Sequence, residues 1–230
     1  MAATAGAKNV ILILDVSGSM SGSGISLAKD AAISVVNTLS NSDFVGVVKF
    51  ESTASYVYSH KILRGTQETK DALNDRINGL KAQGGTNYEL GFRYAMNMLS
   101  SAEEDEFGPP CPDATNIVLF LTDGHPNEGT ANSEGLKQLI DNYGRDIILF
   151  TYALGPSTAT GILQELSCAN SGIMFEIRDS SSSSQLATKM KNYYSYIAKG
   201  LTIEKPVWTE PYYDAFGLGR MVTVSMPIYY

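Results

Sequence analysis

The chain has 230 residues, 43% of them hydrophobic and 18% charged, which excludes a wholly disordered polymer and allows a core that needs no disulfide staples. Lysine and arginine number 17 against 24 aspartates and glutamates, and the net charge of −7 argues against nucleic acid or an anionic membrane as the main partner. The longest apolar runs, 10–14 and 117–121, fall far short of the roughly 20 residues a membrane helix needs, and no basic, apolar leader precedes them, so a soluble unit excised from a longer protein is expected.

Strand-like and helix-like segments alternate along the chain. Residues 10–16 are a compact β-branched and leucine run, the mark of a strand buried on both faces. After a Ser/Gly stretch, Leu27, Ala28, Ala31, Ala32, Val35, Val36 and Leu39 recur at helical spacing. Residues 44–50 read as the next strand and 54–59 as a shorter, more polar edge strand. A polar helix is expected over 66–80, with Thr66 as its N-cap and a stop at Gly84-Gly85. Another covers 88–101, followed by the acidic stretch 103–106 and the breaker Gly108-Pro109-Pro110. Residues 116–121 make the cleanest central strand. A helix near 132–143, a strand over 147–154, a helix near 161–169 and a strand over 173–177 follow. This order predicts an α/β fold: a doubly wound, mostly parallel sheet with helices on both faces. Beyond 179, a serine-rich linker and an amphipathic helix occupy 180–204. Residues 205–230 carry the only Trp and a run of aromatics, and read as a β arm or the start of a second module.

Ligands of open parallel sheets bind where loops leave the carboxyl ends of strands, and three such loops are rich in side-chain oxygen. Asp15-Val16-Ser17-Gly18-Ser19 follows the first strand, Thr86 and Asn87 follow Gly84-Gly85, and Thr122-Asp123-Gly124 follows the central strand. Alternation in extended chain turns Asp15, Ser17 and Ser19 the same way, and with Thr86 and Asp123 five oxygens converge. Singly, each has an ordinary reading: Ser19 and Thr86 as helix N-caps, Asp123-Gly124 as a turn. Together, at three strand ends, they suit a hard divalent cation, Mg²⁺ first and Ca²⁺ or Mn²⁺ also. With two carboxylates among five donors the ion stays electron-poor and accepts a carboxylate from outside. Other chemistries lack their parts. The 18–24 stretch has no Gly-Lys-Ser/Thr ending for a phosphate loop. Asp15 has Ser17, not a second acid, two residues on. His60 and His125 have no cysteine neighbours for zinc. No catalytic site is expected.

Asp15-Val16-Ser17-Gly18-Ser19, with the later Thr86 and Asp123, resembles the metal-ion-dependent adhesion site of von Willebrand factor A domains, over 8–179. That resemblance implies direct ligation by Ser17, Ser19 and Thr86, and ligation by Asp15 and Asp123 directly or through water. The segments 84–92 (Gly84-Gly85-Thr86-Asn87-Tyr88-Glu89-Leu90-Gly91-Phe92), 169–177 (Ala169-Asn170-Ser171-Gly172 through Ile177) and 208–215 (Trp208-Thr209-Glu210-Pro211 through Ala215) look similar to the calcium-channel alpha-2/delta auxiliary subunits and to related proteins joining this domain to Cache modules. The resemblance implies an extracellular, membrane-anchored parent, with 205–230 as the entry to a Cache-like module. It also implies a protein partner, possibly a channel subunit, that supplies an Asp or Glu to the metal. Alternatives are an intracellular scaffold domain of an ATP-driven complex and a part of a small-molecule Cache sensor. Composition leaves the cysteines open: Cys111 and Cys168 can be thiols, can pair, or can bridge elsewhere. The Cys168-Ala169-Asn170-Ser171-Gly172 context is similar to one that, in the channel subunits, ties the A domain to another part of the protein.

Overall fold

In the computed structural model, the described residues are 7–101, 114–144, 146–155, 158–177 and 189, together with four two-residue strands between 207 and 225. Residues Gly6–Met190 belong to one compact unit, and the C-terminal strands to another.

Strand β1 (Lys8–Asp15) is buried along its whole length, as its unbroken apolar run requires. A 3-10 turn at Gly18–Met20 leads to α1 (Ser23–Thr38), then β2 (Phe44–Phe50). The expected edge strand is shorter than 54–59: β3 is Ala54–Tyr56, and a further short strand, β4 (Leu63–Arg64), pairs with the start of β2. Both run antiparallel to β2, so one margin of the sheet departs from the parallel pattern. Helix α2 (Gln67–Asn78) is capped as expected by the Thr66 hydroxyl, which accepts from Thr69 N at 3.2 Å. It ends at Gly79, ahead of the Gly84-Gly85 stop read from the sequence. The remaining elements are α3 (Tyr88–Leu99), β5 (Thr115–Thr122), α4 (Ser133–Asp141), β6 (Ile148–Leu154), α5 (Thr160–Ala169) and β7 (Met174–Ile177).

The sheet runs β3-β2-β1-β5-β6-β7, with β2, β1, β5, β6 and β7 parallel. The chain winds outward from β1 in one direction and from β5 in the other. The switch point, where a crevice opens at the carboxyl ends, therefore lies between these two strands. Helices α3, α4 and α5 pack on one face, and α1 pairs with α2 outside that cluster. Phe120 of β5 anchors the first face: it stacks on Phe50 and Phe92 at 5.3 and 4.8 Å and meets the Tyr88 ring edge-on at 4.9 Å. Each such fully buried ring is worth roughly 1.5–3 kcal/mol. Gly91 lets α3 approach this closely, because a Cβ there would lie 3.1 Å from the Phe50 ring and 3.2 Å from Ile13. That approach carries the start of α3, with Thr86 before it, to the crevice.

In the C-terminal unit, β8 (Val207–Trp208) pairs antiparallel with β11 (Val224–Ser225), and β9 (Tyr212–Tyr213) with β10 (Arg220–Met221). This is the β arm. Apart from Lys189, the expected linker and amphipathic helix at 180–204 lie outside the described residues, as do the acidic stretch 103–106 and Cys111.

Candidate metal centre

Strand β1 delivers Asp15 to its carboxyl end with the side chain fully buried. Asp15 Oδ1 accepts from Ser17 N at 2.7 Å, which folds the loop back and turns the Ser17 hydroxyl to the same side. The Ser17 and Ser19 hydroxyls share a hydrogen bond of 3.0 Å, and Ser19 Oγ donates to Asp123 Oδ1 at 2.7 Å. One continuous chain of oxygens thus joins the end of β1 to the end of β5. Thr86 enters from the third loop. Its amide donates to Asn127 Oδ1 at 2.9 Å, and its carbonyl accepts from Asn127 N and Glu128 N. Ser19 Oγ and Thr86 Oγ1 lie 3.5 and 3.7 Å from the point a Gly124 Cβ would occupy, so all three loops face one spot. The Thr86 hydroxyl has no hydrogen-bond partner among the described residues, although Thr86 is only 4% exposed.

The three loops are tied by backbone as well. Gly18 N donates to Gly84 O at 3.0 Å and Gln83 N to Val16 O at 2.7 Å. Gly84 sits at φ +73°, a conformation that suits glycine and turns the chain into the crevice. The single-residue readings as helix caps do not hold. Helix α1 is preceded by Gly22, and α3 is capped by the Asn87 side chain, which accepts from Leu90 N at 3.2 Å. Ser19 and Thr86 are free of capping duty because α1 starts after the 3-10 turn and because Asn87, one residue closer to α3, takes the cap.

Two supporting residues were not singled out from the sequence. Thr122, the last residue of β5, is fully buried and donates its hydroxyl to Asp15 Oδ2 at 2.5 Å. The Tyr88 hydroxyl donates to the Gly124 carbonyl at 2.7 Å and lies 3.3 Å from Thr122 Oγ1. A polar residue ending an otherwise apolar central strand was the available signal for Thr122. Tyr88 reads as helix core and gave none.

The electrostatics are unbalanced. Burial pushes Asp15 up to about 6; hydrogen bonds from Ser17 and Thr122 lower it in part, and the charge of Asp123 adds to the rise. Asp123 is also raised by burial, against the lowering effect of the Ser19 hydroxyl. Neither carboxylate forms an ion pair with a described Lys or Arg. The donor set is two carboxylates and three hydroxyls, all hard oxygen, the chemistry of Mg²⁺ or Ca²⁺ sites. His60 and His125 are exposed, and among the described residues no three His, Cys, Asp or Glu side chains cluster. Cys168 is exposed and unpaired.

The chain is 27% identical over 233 residues to the human voltage-dependent calcium channel subunit alpha-2/delta-2, covering 96% of this chain but 19% of that one. In structure it is similar to a von Willebrand factor type A protein from Catenulispora acidiphila, with a TM-score of 0.71, 23% identity, and coverage of 88% of this chain and 45% of that one. It is similar also to proximal thread matrix protein 1 of the mussel byssus with a zinc-occupied MIDAS motif, with a TM-score of 0.64, 17% identity, and coverage of 89% and 49%. Residues 9–189 match the von Willebrand factor type A domain, and the chain belongs to that family.

Proposed function

We propose that this domain is a metal-dependent protein-binding module. Asp15, Ser17, Ser19, Thr86 and Asp123 would hold a divalent cation, Mg²⁺ by preference, and a partner's Asp or Glu would complete its coordination. The observation that carries this reading is the pair of raised, unpaired carboxylates in one crevice with three hydroxyls. Charges taken out of water without a counter-ion are costly, and a cation is the compensation these loops can accept. Thr122 and Tyr88 act from behind: Thr122 holds one Asp15 oxygen, and Tyr88 holds the Gly124 carbonyl, so the two strand ends stay in register. The cation supplies Lewis acidity toward an incoming carboxylate. The mussel protein's zinc-occupied MIDAS motif, on the same fold, supports the metal reading.

The domain is read as non-enzymatic and as acting at the extracellular face of a membrane, within a longer anchored protein of the alpha-2/delta or A-domain–Cache type. The match to the channel subunit supports this, and so does the exposed Cys168 thiol, which is accessible to a bridge from elsewhere in the parent protein. Metal titration followed by thermal unfolding tests the site. Mg²⁺ at about 100 times its dissociation constant should stabilise the domain by about 2.7 kcal/mol, and Asp15→Ala should remove that gain while leaving the fold intact. A melting temperature indifferent to Mg²⁺, Mn²⁺ and Ca²⁺ would count against the site. Chelator should release the protein partner, and Thr86→Ala should weaken binding; a complex that survives both uses another face.

A further inference from the structure

We infer that the cleft between edge strand β3 and the carboxyl end of α2 docks an extended acidic segment of a partner protein. This inference does not rest on the metal site. The cleft encloses about 910 Å³ and is lined by Lys49, Ser55, Tyr56, Arg76, Lys81 and Gln83 among others. That volume lies in the range of sites that hold a ligand. The chain carries a net charge of −7, yet among the described residues three cationic side chains line this cleft and Asp75 is the one carboxylate.

Several other described cations are engaged, although the exposed Lys137 of α4 is not. Lys8 pairs with Asp43, Arg93 with Glu89, Lys70 donates to the Leu39 carbonyl and Lys29 to that of Asn78. Lys49, Arg76 and Lys81 make no hydrogen bond or ion pair with any described residue. Lys29 also neutralises the carbonyl end of α2, which would otherwise oppose an anion at this cleft.

The backbone beside them is open. Lys49 pairs with Ser55 across β2 and β3, Val57 N donates to Val47 O at 2.9 Å, and Glu51 N to Thr53 O at 2.7 Å. Residues 53, 55 and 57 therefore spend their backbone groups on β2. Antiparallel alternation turns those of Ala54 and Tyr56 outward, where no described residue binds them. An unpaired edge accepts an added strand through main-chain hydrogen bonds, and the flanking charges select its side chains. Open edge and unpaired cations together specify an extended, acidic occupant.

The test uses the full 230-residue chain in metal-free buffer with chelator, which silences the metal site. Probes are a capped octapeptide alternating Glu and Val, its Lys–Val counterpart, a Glu–Val peptide N-methylated at alternate residues, and free glutarate. Saturable binding of the Glu–Val peptide alone is expected, weakening as salt rises to about 0.15 M. Arg76→Glu with Lys81→Glu, both exposed positions, should weaken it by at least about tenfold. Arg76→Gln with Lys81→Gln should give a smaller loss in the same direction. No saturable binding in the wild type, or binding undiminished in either double variant, overturns the inference. Equal binding of glutarate or of the N-methylated peptide overturns it too, by reducing the cleft to an anion site without strand pairing. Binding that requires metal would return the peptide to the crevice at Asp15.

Discussion

Strand β1 begins and ends on a charged residue, and the two ends are built on opposite terms. At its start Lys8 Nζ lies 2.9 Å from Asp43, which is 2% exposed and also accepts from the Lys8 amide and from the Ser40 amide and hydroxyl. Every charge there has its opposite. At its end Asp15 is just as deeply buried but has only neutral donors, Ser17 N and the Thr122 hydroxyl, with the negative Asp123 nearby. The same β-strand thus carries one buried charge that is compensated within the fold and one that has no counter-ion among the described residues. A carboxylate without a counter-ion at a strand's carboxyl end, beside a switch point, is the feature on which the proposed metal site rests.

The comparison predicts opposite responses to removing the two charges. The largest effect belongs to Asp43→Ala. It takes from the buried Lys8 ammonium its Asp43 counter-charge, and from the Lys8 amide and Ser40 their acceptor, and should cost about 3–5 kcal/mol, read as a large drop in the denaturation midpoint. A loss within the range of ordinary surface substitutions would mean that the pair is no more compensated than Asp15 and would erase the contrast.

Asp15→Asn should do the reverse in metal-free buffer. The carboxyl titrates at about 6 in the fold against 3.8 in the unfolded chain, so the folded state binds its proton more tightly. Its contribution favours folding fully below pH 3.8 and is lost as pH rises through 6. Above that the ionised side chain is a penalty of about 1–3 kcal/mol, which Asn removes. The variant should therefore be more stable than wild type at pH 8, equal to it near pH 4, and blind to Mg²⁺. A variant destabilised at pH 8 would show that the carboxylate is structurally required.

The smallest effect sharpens the site's second tier. Thr122→Val removes the donor to Asp15 Oδ2, together with the weaker 3.3 Å contacts that Thr122 Oγ1 makes with the Gly124 amide and the Tyr88 hydroxyl. The Asp15 midpoint, followed by carboxyl NMR, should move above 6, and metal-free stability near pH 8 should fall by about 1 kcal/mol. A midpoint that stays put or falls would separate Thr122 from the site.

Part of this was legible in the chain alone. The unbroken apolar run ending at Asp15 gave a buried strand, and the Asp15, Ser17, Ser19 spacing put three oxygens on one side of its exit loop. Thr66 announced its helix start, and the alternation of strands and helices gave the layered α/β architecture. These features depend on residues a few positions apart, whose geometry is set by the local backbone. The edge was less legible. Residues 54–59 hold a strand only over Ala54–Tyr56, because β2 must also pair with Leu63–Arg64 along the same margin.

Strand order, and with it the position of the crevice, was decided by tertiary structure: nothing local to β1 or β5 says that they are neighbours. The same is true of every bond that makes the site uneven. Asp15 and Thr122 are 107 residues apart, Ser19 and Asp123 are 104, and the Lys8 backbone reaches Asp43 across 35. Whether a buried carboxylate meets a lysine or only hydroxyls depends on which distant loop the sheet brings to it. Sequence supplied the donors, and the order of the strands decided which of them would be left without a counter-charge.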